Sequence, residues 1–172
     1  MTTDRLGAVL ADGERRGLRF ERLLRHPPEA VWRALTESEH LAAWFPADIV
    51  GERRAGAELT LPFWPEHVAA YDIEQPVLTG RVLACDPPRL WELTWDSDVL
   101  RFELHPDPAG TRLVFTTWLG AQSLDGPAGL AGTAAGYHVC LDALERRLDT
   151  GADGSLVDVD VAPLEAAYAE LT

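Results

Sequence analysis

The stretch "AAGYHVCLDALERRL", residues 134–148, sets a phenol, an imidazole and a thiol within four positions as Tyr137, His138 and Cys140. Three chemistries use such groups. A thiol beside an imidazole makes a nucleophile, an imidazole with a thiolate makes half of a zinc site, and a phenol in an apolar wall orients a bound molecule. Tyr137, Leu141, Leu144 and Leu148 recur as one stripe, continued upstream by Leu130 and Thr133, so the segment is expected to be an amphipathic helix. At about 100° per residue, His138 and Cys140 are roughly 200° apart and share no face. They can form neither a dyad nor a chelate. Tyr137 falls on the apolar stripe, and Cys140 lies about 60° from its centre, on the core side. His138 is expected on the flank, where Asp142 one turn on would take its proton as a surface pair. Cys140 is expected to be an inert thiol, because burial raises a thiol's pKa and no basic group stands nearby to lower it.

The remaining candidates are sparse. His26, His40, His67, His105 and His138 are scattered, with no His-x-x-x-His and no Cys-x-x-Cys, so neither a metal site nor a cofactor is expected. There is no Gly-x-Ser-x-Gly, and the strand Asp and Glu residues are expected on outward positions, so no catalytic residue is assigned. His67, in the irregular segment "PFWPEHVAAYD", is the one histidine placed to hang over a pocket mouth. Six Trp in 172 residues are more than packing alone requires, and pockets for hydrophobic ligands are lined by aromatic groups. Trp32, Trp91 and Phe115 are assigned to the core. The expected ligand wall is Phe63, Trp95, Phe102, Thr117 and Tyr137, with Cys140 beside Tyr137.

Composition narrows the classes further. A net charge of −13 repels phosphate backbones and anionic lipid heads, which argues against nucleic-acid or membrane-surface binding. All fifteen basic residues are Arg, so Schiff-base chemistry and a P-loop lysine are excluded. No apolar run approaches the roughly 20 residues of a membrane span, and the start has no signal-peptide pattern. A cytoplasmic location is the expectation. Cys85 and Cys140 are expected to be two free thiols.

Positioning these groups is the task of the elements around them. "LGAVLA" and "GLRFERLLRH" read as strands joined at Asp12-Gly13. Pro27-Pro28 opens a helix carrying Val31, Trp32 and Leu35, and Ser38 is expected to cap a second that ends at Pro46. Period-two alternation follows in "AELTLPF", "LWELTWD", "LRFELH" and "TRLVFTTWL", the mark of half-buried antiparallel strands. "PVLTGRVLAC" adds another strand, and the long helix is expected from Asp125-Gly126-Pro127 to about Leu148. The expected architecture is α+β, a curved antiparallel sheet of six to seven strands wrapped around a long C-terminal helix, spanning residues 1–150. Residues 151–172 form an acidic extension with a short helix from Pro163. Gly129, Gly132 and Gly136 make a small-residue face on the long helix, suited to that terminal helix or to a second copy in a homodimer.

In element order and in the segments "LRFERLLRHPPEAVWRALTESEHLAAWF", "GRVLACDPPRLWELTW" and "GYHVCLDALERRL", the chain resembles the START-like, or SRPBCC, helix-grip superfamily. Within it the chain is similar to the activator-of-Hsp90-ATPase homologues, from about residue 17 to 150. That resemblance implies three functions. The first is non-catalytic binding of a small hydrophobic molecule, aromatic, lipid or polyketide-like, between sheet and helix. The second is a polyketide cyclase or aromatase using a pocket group such as Tyr137, Thr117 or His67. The third is a co-chaperone with a chaperone ATPase as partner.

Overall fold

The computed structural model describes residues 5–153 and 156–172. Strands β1 (Ala8–Asp12) and β2 (Arg15–Leu24) form the first hairpin, its turn carried by Gly13 at φ +61°. Helices α1 (Pro28–Thr36) and α2 (Ser38–Trp44) follow. Pro28 sits in the first turn of α1, where its missing N–H leaves no bond unmade. Ser38 does not cap α2. The cap position is Glu37, and the Ser38 hydroxyl instead donates to Asp48 at 2.6 Å.

Strand β3 (Glu58–Pro62) and a seven-residue helix α3 (Pro65–Tyr71) come next, then β4 (Val77–Asp86), β5 (Leu90–Trp95), β6 (Asp98–Asp107) and β7 (Gly110–Trp118). Helix α3 occupies the segment expected to be irregular. Pro65 supplies a fixed helical φ at its first turn, and Asp72, in left-handed conformation, ends it. The seven strands make one antiparallel sheet in the order β1-β2-β7-β6-β5-β4-β3.

Period-two alternation decides which face is buried. Register sets Phe20 opposite Phe115, Phe115 opposite Phe102 and Phe102 opposite Trp91, so one inward row crosses four strands. Its rings stack at 6.0 Å between Phe20 and Phe115 and at 4.6 Å between Phe115 and Phe102. Leu18, Leu100 and Leu93 lie two residues along on the same buried face.

Helix α4 (Ala121–Asp125) is short, and the long helix α5 runs Gly129–Thr150. Helix α5 starts at Gly129 rather than at the expected Asp125-Gly126-Pro127, because Asp125 ends α4 and Pro127 cannot continue its hydrogen-bond ladder. Gly151, at φ +72°, closes α5. Helix α6 (Ala162–Ala169) packs along the upstream half of α5, with Leu164 and Tyr168 buried. Gly132 lies beneath it, close to the Glu165 carboxylate, whereas Gly136 faces open space.

Candidate functional site

The sheet and α5 part at the end where α2, α3 and the tail converge, leaving a cavity of about 290 Å³. That is at the lower end of the range for small-molecule pockets. Each wall comes from a separate element. Phe45 and Pro46 follow α2, Phe63 follows β3, and His67 and Tyr71 project from α3. Trp95 and Asp98 flank the β5–β6 turn, while Thr133, Gly136, Tyr137, Val139 and Cys140 come from α5. Ser123 of α4 joins them, and Leu156 and Val161 of the tail close the remaining side. Tyr71 is 60% exposed and marks the rim.

Four of the six residues expected in the wall meet here: Phe63, Trp95, Tyr137 and Cys140. Trp95 is held edge-on between Phe45, at 5.0 Å, and Phe63, at 5.4 Å. Phe102 and Thr117 lie in the packed core instead. Phe102 is sandwiched between Phe115 and Trp44, and Phe115 in turn lies 5.2 Å from the Tyr137 ring. The Thr117 Oγ1 is enclosed beside the Tyr137 hydroxyl but not in hydrogen-bonding geometry.

The polar centre of the cavity is Asp98, and sequence pattern assigned it wrongly. Strand carboxylates were expected outward, yet Asp98 is only 2% exposed. The parity that turns Leu100, Phe102 and Leu104 inward carries Asp98 inward with them. Three donors meet its carboxyl. The Gly120 N–H reaches Oδ1 at 2.7 Å, and the hydroxyls of Ser123 and Tyr137 reach Oδ2 at 2.7 and 3.1 Å. Burial holds this carboxyl above its usual range, with nearby Asp96 adding to the rise and the three donors opposing it. Gly120 is required there, because a Cβ would run into the side chain and backbone of Ser97. Burial, and then the Asp98 charge, push the Tyr137 phenol well above its ordinary value. Burial raises the Cys140 thiol to about 12, so it stays protonated and unreactive.

His67 is the second polar group. It is 4% exposed, and among the described residues neither ring nitrogen has a hydrogen-bond partner. The nearest carboxylate oxygen, from Glu66, is 3.9 Å from Nδ1. Burial lowers the imidazole pKa, with Glu66 opposing, so the ring is neutral near pH 7.

His138 departs from its expected surface position. It is 1% exposed because α6 covers that flank of α5. Its Nδ1 meets the Tyr168 hydroxyl at 2.8 Å and its Nε2 lies 3.3 Å from Asp142, so the expected partner is present but the pair is buried on the histidine side. Hydrogen bonds from Arg5 tie Asp142 and Glu145 into the same cluster. This network sits on the flank away from the cavity and holds α6 in place.

Among the described residues, one group of three metal-capable side chains is close-set: Glu37, Glu39 and His40 at the start of α2. Both carboxylates are exposed, and the group reads as a solvated acidic cluster. Cys85 and Cys140 are free thiols. No helix among the described residues is long and apolar enough to cross a membrane.

A curved antiparallel sheet gripping a long C-terminal helix, with two short helices after the first long strand, defines the START-like, or SRPBCC, class of proteins. Residues 25–149 match the family of activator of Hsp90 ATPase homolog 1-like proteins, and the chain belongs to that family. Solved structures agree with this fold. A conserved protein of unknown function from Enterococcus faecalis superposes with a TM-score of 0.75 at 23% identity, over 95% of this chain and 88% of its own. CalU16 from Micromonospora echinospora gives 0.67 at 19% identity, over 99% of this chain and 98% of its own. A protein from Mesorhizobium loti gives 0.63 at 26%, over 80% and 99%. No curated protein is a significant match to the chain.

Proposed function

We propose that the chain binds a small hydrophobic molecule, aromatic or polyketide-like, in the cavity between sheet and α5, without transforming it. The observation that carries this reading is the cavity itself. Its wall is largely apolar and aromatic, and a few polar groups converge on it from separate elements. Affinity comes from apolar burial at about 25 cal/mol per Å² and orientation from the polar atoms. Family membership is consistent with a ligand-binding fold but selects no ligand, since function resides in the site.

A panel of aromatic and polyketide-like compounds tests this. Binding quenches or shifts Trp emission through Trp95 and raises the melting temperature. A panel that leaves both unchanged contradicts the reading. The second reading, a cyclase-type enzyme, draws on one observation: a carboxyl, a phenol and a neutral imidazole share the cavity. Its distinguishing result is turnover that disappears in His67→Phe or Tyr137→Phe while binding survives. Stimulation of a chaperone ATPase, suggested by the family's name, is checked by adding the protein to such an ATPase and measuring hydrolysis.

A further inference from the structure

The hydrogen-bonding polarity of the cavity restricts what can enter it. The hydroxyl protons of Tyr137 and Ser123 both point at Asp98 Oδ2. These two hydroxyls therefore present only lone pairs to a ligand, and the carboxyl between them presents only acceptors. Charge adds a second restriction. None of the fifteen Arg lines the cavity, and the chain has no Lys. A carboxylate entering here would meet acceptors and no cation, leaving a buried anion without a partner.

His67 stands apart from that arrangement. It lines the cavity, is 4% exposed, and its Nδ1 is enclosed with no hydrogen bond. An atom that water cannot touch takes no partner from a ligand, so the nitrogen left to meet a molecule in the cavity is Nε2, which has no hydrogen bond among the described residues and is not enclosed as Nδ1 is. A neutral imidazole has one donor and one acceptor nitrogen, and a hydroxyl can serve as either partner. A ligand hydroxyl thus satisfies His67 in either tautomer.

We infer that the cavity selects uncharged, hydroxyl-bearing apolar molecules over their carboxylate counterparts, and that His67 is the residue that recognises the hydroxyl. This inference rests on the ligand-binding reading of the cavity and names the chemical class that it accepts.

Three probes with the same ring separate the parts: naphthalene, 2-naphthol and 2-naphthoate, each titrated against Trp emission of the full chain. Naphthalene reports the apolar wall alone. 2-Naphthol should bind about fivefold to tenfold more tightly than naphthalene, the increment of one satisfied hydrogen bond. 2-Naphthoate should bind at least about tenfold more weakly than 2-naphthol, because its charge is buried unpaired. His67→Phe should abolish the preference, bringing the ratio of 2-naphthol to naphthalene affinity in that variant down to about one.

A measurement on the unsubstituted protein guards against a variant that folds poorly. The ring ¹⁵N resonances of His67 should shift on adding 2-naphthol and stay in place with naphthalene. A tight-binding 2-naphthoate overturns the inference. So does a naphthol preference that survives in folded His67→Phe, or a His67 resonance indifferent to naphthol. In those cases naphthalene still binds and the cavity reading stands. If none of the three probes binds the unsubstituted protein, the cavity reading fails and takes this inference with it.

Discussion

Replacing Tyr168 with Phe removes a single oxygen from a side chain that is wholly buried. That oxygen accepts the Gly7 N–H at 2.8 Å and meets His138 Nδ1 at 2.8 Å, so it joins the start of β1, the middle of α5 and the terminal helix. Phenylalanine keeps the ring contacts with Phe20 and His138. What it loses is the partner of two buried polar atoms. Each such atom left unpaired costs on the order of 1–3 kcal/mol. Because α6 is 8 residues long and one water entering beneath it can bridge both atoms, the lower end of the sum applies, about 2–3 kcal/mol. In a protein of this size each kcal/mol lowers the melting temperature by roughly 2–4 °C, so the drop should be about 4–12 °C. Urea unfolding followed by circular dichroism measures the same loss directly. The double variant with His138→Phe should be less destabilised than the two single changes summed, by about 0.5–1 kcal/mol or more, since they share one hydrogen bond. A melting temperature within about 1 °C of the parent would refute the claim that this hydroxyl latches α6. Val161 of the tail lines the cavity, so a loosened α6 should also weaken ligand binding.

Three further outcomes follow from the cavity's polar groups. Asp98→Asn should fold with near-parent stability, because the amide oxygen can accept the Gly120 N–H and the amide nitrogen can donate to the two hydroxyls. Asp98→Ala strands all three donors and should cost about 2–4 kcal/mol in urea unfolding. The folded pKa of Asp98 is raised above 3.8, so its contribution is full below that value and is lost as pH climbs through the folded one. The stability of Asp98→Asn relative to the parent should therefore improve as pH rises from about 4, and a constant difference would contradict the burial argument. For His67 the sign reverses: its folded pKa is depressed below 6.5, so stability is full above 6.5 and falls as pH drops through the folded value. Folded His67→Phe should lack that acid-side decline, which a melting series from about pH 7.5 to pH 5 would show. Gly120→Ala should lose about 1–3 kcal/mol, since its Cβ displaces Ser97 and loosens the N–H bond to Asp98.

Much of the fold was legible because two periods dominate the sequence. Alternation in β5, β6 and β7 named the inward rows, and the stripe of Leu141 and Leu144 named the gripping face of α5. What escaped is non-local or conflicts with residue type. Asp98 lies beside a tight turn and looks like a turn residue, although its parity with Leu100 already placed it inside. His138 looks like a boundary residue until α6, some thirty residues on, covers it. Leu156 and Val161 border the cavity only because the tail folds back, and no local pattern announces that. Helix α3 hid in a seven-residue segment in which only His67 is buried, so no apolar stripe announced it and His67 remained an unplaced histidine until its neighbours were known. Phe102 and Thr117 were assigned correctly to the inward face. Parity does not say where along that face the sheet and the helix separate.

The central claim is that one cavity, walled by Phe45, Phe63, Trp95, Tyr137 and Cys140, receives a small hydrophobic molecule. Amide and side-chain NMR shifts recorded during titration with 2-naphthol test it most directly. Saturable shifts should concentrate on those five residues and on His67, with Trp118 on the opposite sheet face unmoved. Shifts confined to surface positions, or none at all, would contradict it.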